Sequence, residues 1–113
     1  MEKTQATLVF ESLSSGVRLD VYRLLVKQGP EGMVAGDIAA ALALPPTNLS
    51  FHLKALTSTG LLSVVQEGRY QRYRANLALV RALIDYLTDE CCSGHPEQCA
   101  EICLPVKPKG VSK

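Results

Sequence analysis

The chain has 113 residues, of which 47% are hydrophobic and 20% charged, with a formal net charge of +1. Those values suit one folded, soluble domain with one core and exclude a second domain of useful size. A membrane span is also excluded, because no stretch approaches the ~18–20 apolar residues that one needs.

The opening MEKTQATLVFESL is broken by charged and polar residues. It does not read as a signal peptide, and a cytoplasmic location is the expectation. There is no Trp and aromatics are scarce, so Leu, Val and Ala must build the core, which favours helices.

Ala6, Val9, Phe10 and Leu13 recur at i, i+3, i+4 and i+7 and predict a first amphipathic helix. Ser15 is placed to cap a second helix with the stripe Val17, Val21, Leu24 and Leu25, ended by Gly29-Pro30. Asp37 opens a short Ala-rich helix through Leu42, and Leu44-Pro45-Pro46 breaks it. Pro46 is tolerated in the first turn of a further helix. That helix carries Leu49, Leu53 and Leu56 on one face and ends near Gly60.

Leu61 to Val65 and Tyr70 to Arg74 predict two strands about a Glu67-Gly68 turn. Asn76 is placed to cap a last helix with Leu77, Val80, Ile84 and Leu87 as its seam. Its end is expected near Cys92, where Ser93-Gly94-His95-Pro96 is a breaker cluster. Residues 1–104 then form the domain, and residues 105–113 are expected to be a disordered tail.

The resulting order is helix, helix, short helix, turn, helix, hairpin, helix. It predicts a mainly α fold with a β-hairpin wing, a winged helix-turn-helix. Away from its leucines the second helix of the motif carries Thr47, Asn48, Ser50, Phe51, His52 and Lys54. Small polar groups there suit base edges and phosphates, and Phe51 suits a thymine methyl. Arg69 beside the hairpin turn and Arg72 and Arg74 on the second strand add positive charge for phosphate or a minor groove.

The charge distribution agrees. Lys54, Arg69, Arg72 and Arg74 face only Glu67 between Leu44 and Arg74. Between Asn76 and Cys103 the balance is acidic, with Asp85, Asp89, Glu90, Glu97 and Glu101 against Arg81. One such helix reads only a few base pairs, so a two-fold dimer on double-stranded operator DNA is expected. The apolar stripes of the first and last helices are the candidate interface.

LPPTNLSFHLKAL at residues 44–56, the following GLL, and EGRYQRYR at residues 67–74 resemble the ArsR/SmtB family of bacterial metal-responsive repressors. FESLSSGVRLDVYRLL at residues 10–25 is similar to the family's opening segment, and the resemblance runs from about Leu8 to Leu87. It implies a winged-helix homodimer, paired through its first and last helices, that leaves a palindromic operator when an inducer binds. Gly16-Val17 stands where the family often has Pro-Thr, Pro45 where a Ser usually caps the recognition helix, and Ala43 where Gly is common. None of these departures removes a DNA-contacting side chain.

The family's arsenic site is a C-V-C-D-L run; the matching Val34-Ala35-Gly36-Asp37-Ile38 lacks both thiols. Its zinc site on the last helix needs a His two residues after an Asp, and Leu87 follows Asp85. What remains is ECCSGHPEQCAEIC, the sensor segment within residues 89–103. Vicinal cysteines with a third shortly after resemble the C-terminal arsenite sites of another ArsR subgroup. Trivalent arsenic or antimony is soft and takes three thiolates.

Neighbours on a helix diverge by ~100°, so Cys91 and Cys92 can face one ion only where the helix loosens, which Ser93-Gly94 permits. Cys91, Cys92 and Cys99 are the expected As(III) or Sb(III) ligands, with Cys103 as alternate third ligand. Acidic neighbours disfavour a free reactive thiolate, but an ion that displaces the protons does not need one. Other readings stay open: zinc or cadmium held by thiolates and His95, a disulfide or persulfide switch, or unligated thiols. No paired carboxylates, phosphate loop or nucleophile set marks an enzyme. A thiol metal carrier is the alternative of a different class.

Overall fold

The computed structural model describes residues 1–89. They form α1 (Lys3–Ser12), α2 (Gly16–Gln28), β1 (Met33–Val34), α3 (Ala35–Leu42), α4 (Pro46–Ser58), β2 (Leu62–Glu67), β3 (Tyr70–Ala75) and α5 (Leu77–Leu87). A single 3-10 turn, Gly29–Glu31, follows α2. The sheet is antiparallel with order β1-β3-β2.

Two of the helix starts are set by side chains that satisfy otherwise unpaired amides. The Ser15 hydroxyl accepts from the Arg18 N–H at 3.4 Å, and the Asn76 side-chain oxygen accepts from the Leu79 N–H at 3.4 Å. The Asn76 amide also donates to the Gly60 carbonyl at 2.8 Å, which ties the start of α5 to the end of α4. α3 begins at Ala35, ahead of the Asp37 start expected from the sequence, and places Asp37 inside its first turn. There its charge complements the helix dipole.

The core lies where α2, α3, α4 and the sheet meet. Val9, Val21, Leu25, Ile38, Leu49, Leu56 and Leu61 are its fully buried large side chains. α4 packs on α2, α3 and β2, whereas α1 and α5 make only sparse contacts with the other elements. On the stripe of the first helix, expected as part of the dimer interface, Ala6 and Val9 are buried and Phe10 is exposed; Ser12 is buried as well.

Three further features differ from the sequence reading. β1 was not expected, because two residues cannot show a period; it pairs Met33 with Tyr73 and Val34 with Arg72. Gly32 makes that pairing feasible. Its φ is +64°, and a Cβ there would run into the Tyr73 carbonyl and the Arg74 side chain. The hairpin loop is Gly68-Arg69, one residue later than expected, since Glu67 already pairs with Tyr70. Positive φ at Gly68 alone matches a II′ turn, whose twist suits the flanking strands.

α5 ends at Leu87 and not near Cys92. The Thr88 hydroxyl and N–H both donate to the Ile84 carbonyl, at 2.8 and 3.0 Å. No basic residue sits in the last turn to favour the dipole, while Asp85 and Asp89 oppose it. The expected tail at residues 105–113 lies outside the described residues.

α3 closes with a paired backbone motif: Leu44 N–H to the Ala39 carbonyl at 3.0 Å and Ala43 N–H to the Ala40 carbonyl at 3.3 Å. α4 closes in the same way at Gly60 and Leu61. At α3 the left-handed position falls on Ala43, with φ 53° and ψ 47°. A Cβ is strained there by roughly 1–3 kcal/mol. Ala43→Gly should therefore raise stability by about 1 kcal/mol and Tm by roughly 4–8 °C, read by thermal circular dichroism. A lower Tm would mean that unfolded-chain entropy outweighs the relief of strain.

Candidate nucleic-acid interface

α4 is divided lengthwise. Leu49, Leu53 and Leu56 are buried at i, i+4 and i+7, so the opposite side of the helix must face out. Thr47, Asn48, Ser50, Phe51 and Lys54 are exposed there, Phe51 by 76%. A large apolar ring left that open on a polar face has no role in this chain's packing and suits contact with a partner. The structure thus brings together five of the six α4 residues singled out from the sequence as an open surface.

The sixth, His52, is half-buried, and its Nδ1 lies 3.4 Å from Nη1 of Arg18 on α2. Arg18 was not among the residues found by sequence reasoning. Its only signal was its place beside the Ser15 cap.

Pro45 precedes α4 and supplies no side-chain cap. The Thr47 and Asn48 N–H groups stand in the first turn, where intrahelical acceptors are lacking and the dipole is positive. They lie beside the exposed polar side chains and add donors suited to an anion.

The wing is stiffened by a run of side-chain hydrogen bonds. Gln66 Nε2 donates to the Gly68 carbonyl at 2.8 Å, Gln71 Nε2 to Gln66 Oε1 at 3.2 Å, and the Tyr73 hydroxyl to Gln71 Oε1 at 3.1 Å. Burial pushes the phenols of Tyr73 and Tyr22 above the ordinary tyrosine value, so both stay protonated donors. Tyr22 donates to the Asn76 carbonyl at 3.4 Å.

The wing arginines divide into two groups. Arg69 stands in the two-residue loop at the tip, exposed and without a hydrogen-bond partner among the described residues. Arg72 Nε is 2.9 Å from Glu67 Oε1, and its Nη1 donates to the Glu31 carbonyl at 3.2 Å. Arg74 Nε donates to the Pro30 carbonyl at 2.8 Å. Strand alternation puts both on the side opposite buried Tyr73, against the 3-10 turn. Arg72 thus has protein partners where the sequence suggested a free DNA contact.

Cys91, Cys92, Cys99, Cys103 and His95 lie outside the described residues. Among the described residues no three His, Cys, Asp or Glu side chains come together as a metal cluster. Val34 is taken up in β1 and Asp37 is exposed in the first turn of α3, so that stretch offers no thiolate donor set. No described helix is long and apolar enough to cross a membrane.

Residues 13–65 match a family model described as a helix-turn-helix domain. No curated protein matches the sequence. Among solved structures, the chain is similar to an ArsR-like transcriptional regulator from Rhodococcus sp. RHA1, with 27% identity and a TM-score of 0.70 over 80% of this chain and 83% of that one. It is 34% identical to the homodimeric winged helix-turn-helix DNA-binding domain of a possible ArsR-family regulator from Mycobacterium bovis. That match has a TM-score of 0.62 and covers 81% of this chain and 85% of that one. HlyU from Vibrio cholerae is similar at 26% identity and a TM-score of 0.64, over 81% and 99% of the two chains.

The division of α4 is directly testable by urea denaturation. Leu53→Ala should cost about 2–5 kcal/mol. Phe51→Ala should change stability by less than about 0.5 kcal/mol, as expected of a surface site. Equal losses in the two variants would place Phe51 in the core.

Proposed function

Since the chain belongs to the ArsR family of winged helix-turn-helix transcriptional regulators, we propose that it is an arsenite- or antimonite-responsive repressor. In this reading it works in the cytoplasm and binds operator DNA as a homodimer. It is a regulator and not an enzyme. The exposed polar face of α4, forced outward by its buried leucines, carries the DNA-reading part of the proposal.

In this reading Thr47, Asn48, Ser50, Phe51, His52 and Lys54 meet base edges and phosphates in a major groove. Arg69 at the wing tip reaches the backbone or the adjacent minor groove. Arg72 shapes the wing through Glu67 and Glu31, and the N–H groups those contacts leave over are its donors toward DNA.

Dimer formation is supported by what the monomer leaves uncovered. Leu77, Ile84 and Leu87 on α5 are 57%, 50% and 57% exposed at seam spacing, and Leu8 and Phe10 on α1 are about half exposed. The Mycobacterium bovis domain is itself homodimeric. Two reading helices then engage half-sites one helical turn apart.

For the sensor, the residues that suit a soft trivalent ion are the thiols of Cys91, Cys92 and Cys99, with Cys103 as alternate third ligand. They follow α5 directly in sequence, so a change there bears on the dimer seam and through it on the spacing of the two α4 helices. A coupling of this kind is typically worth 5–150-fold in affinity. His95 between the cysteines favours a zinc or cadmium set as the second reading.

Fluorescence anisotropy on the chain's own upstream DNA tests the proposal, in a phosphine reductant that does not chelate arsenite. Arsenite should release the DNA at a few equivalents while zinc has no effect, and Cys91→Ser and Cys92→Ser should bind DNA yet ignore arsenite. Release by zinc alone would move the site to the Cys/His reading. Metal uptake without DNA binding would make the chain a thiol carrier. Arg69→Ala should weaken binding to all sequences alike and reduce the salt slope by about 1.

A further inference from the structure

Among the described residues, His52 is the one side chain on the α4 face that a side chain of another helix holds. Its partner, Arg18, is itself fixed at three points. Arg18 Nε donates to the Ser12 carbonyl at 2.6 Å, Nη1 meets His52 Nδ1 at 3.4 Å, and its backbone N–H donates to the Ser15 hydroxyl. Ser12, buried at the end of α1, also donates its hydroxyl to Thr59 Oγ1 at 3.2 Å, just past the end of α4. Arg18 therefore stands where α1, α2 and the reading helix meet.

The chemistry of that contact decides a proton position. A guanidinium has five N–H donors and no acceptor. The imidazole nitrogen that meets it must present a lone pair. Neutral imidazole has one protonated nitrogen, so a lone pair on Nδ1 leaves the hydrogen on Nε2. The ring is half-buried, and its remaining nitrogen is then a donor.

We infer that Arg18 is a positioning residue for operator binding, holding the His52 ring by Nδ1 in the Nε2–H tautomer so that Nε2 donates to an acceptor on the DNA. This rests on the DNA-binding reading above and adds to it a residue that touches no DNA. Without Arg18, both tautomers become open to the ring, and its orientation is no longer held from α2. One oriented hydrogen bond of this kind corresponds to about a tenfold change in affinity.

The test combines a spectroscopic signature with a double-mutant cycle on the full chain. Nitrogen-15 spectra at about pH 8, where an ordinary imidazole is neutral, distinguish protonated from unprotonated ring nitrogens. His52→Ala identifies the His52 signals by their loss. The unsubstituted protein should show Nε2 protonated and Nδ1 bare, and Arg18→Met should shift the ring toward a mixture. Arg18→Met should weaken upstream DNA binding about tenfold, but should change it by less than about twofold in a His52→Ala background.

An Nδ1–H ring in the unsubstituted protein would overturn the inference, whether or not Arg18→Met folds. So would an equal loss from Arg18→Met in both backgrounds, which would reduce Arg18 to a brace for the α1–α2 junction. An Nε2–H ring in a chain that binds no upstream DNA would instead overturn the functional reading, and with it the operator role of Arg18. DNA binding with the wrong tautomer would overturn the inference alone.

Discussion

Burial of Leu49, Leu53 and Leu56 against α2, α3 and β2 is the constraint on which the rest of the molecule depends. Each fully buried leucine contributes roughly 1.5–3 kcal/mol relative to exposure, a large share of a small domain's net stability. The rotation of α4 about its own axis is thereby settled, and Asn48, Ser50, Phe51 and Lys54 have no place to go but outward. A reading surface is the by-product of a packing decision. The apolar ring of Phe51 on that surface is tolerated because the core does not depend on it.

The wing hangs from the same core by β3, the central strand of the sheet. Tyr73 points inward, so its neighbours Arg72 and Arg74 point away, toward the 3-10 turn, where backbone carbonyls of Glu31 and Pro30 receive them. These two arginines therefore act chiefly as braces that fix the wing against the end of α2. The basic character of the middle of the chain is real in composition, but among the described residues only Arg72 is paired with a carboxylate, and Lys54 and Arg69 carry their charge on exposed side chains without a protein partner. Gln66, Gln71 and Tyr73 then hold the hairpin tip in one shape, so Arg69 is carried on a stiff arm.

α1 and α5 both leave apolar surface uncovered. They contribute Ala6, Val9, Ser12 and Leu83 to the buried set and leave Leu8, Phe10, Leu77, Ile84 and Leu87 open. Apolar surface of this kind, arranged along one line of α5, marks an interaction surface. The cysteines follow that line directly in sequence.

Much of this was legible in the sequence because it is local and periodic. The i, i+4, i+7 leucines of α4, the Ser15 and Asn76 caps, the breaks at Gly29-Pro30 and Leu44-Pro45-Pro46, and the two strands around Gly68 each follow from a short-range rule. So does the exposure of Thr47, Asn48, Ser50, Phe51 and Lys54, as the complement of the leucine face. The two-residue strand β1 was not legible, since its existence depends on β3, some forty residues away, and on Gly32 permitting that approach. The end of α5 at Leu87 rested on hydrogen bonds of Thr88 and an unfavourable dipole, not on the breaker cluster downstream. The first-helix stripe was legible as a face, but its division into buried Ala6 and Val9 and open Phe10 was not, because period gives a face and not the neighbour that covers it. The partners of Arg72 and His52 belong to the same class. By itself the sequence determined the leucine face of α4 and, as its complement, which polar side chains stand outward, since both depend on residue type and spacing. Only the tertiary structure decided that Arg72 and Arg74 are spent on carbonyls and Arg69 is not, and that Arg18 reaches His52, because those contacts join segments that no local period connects.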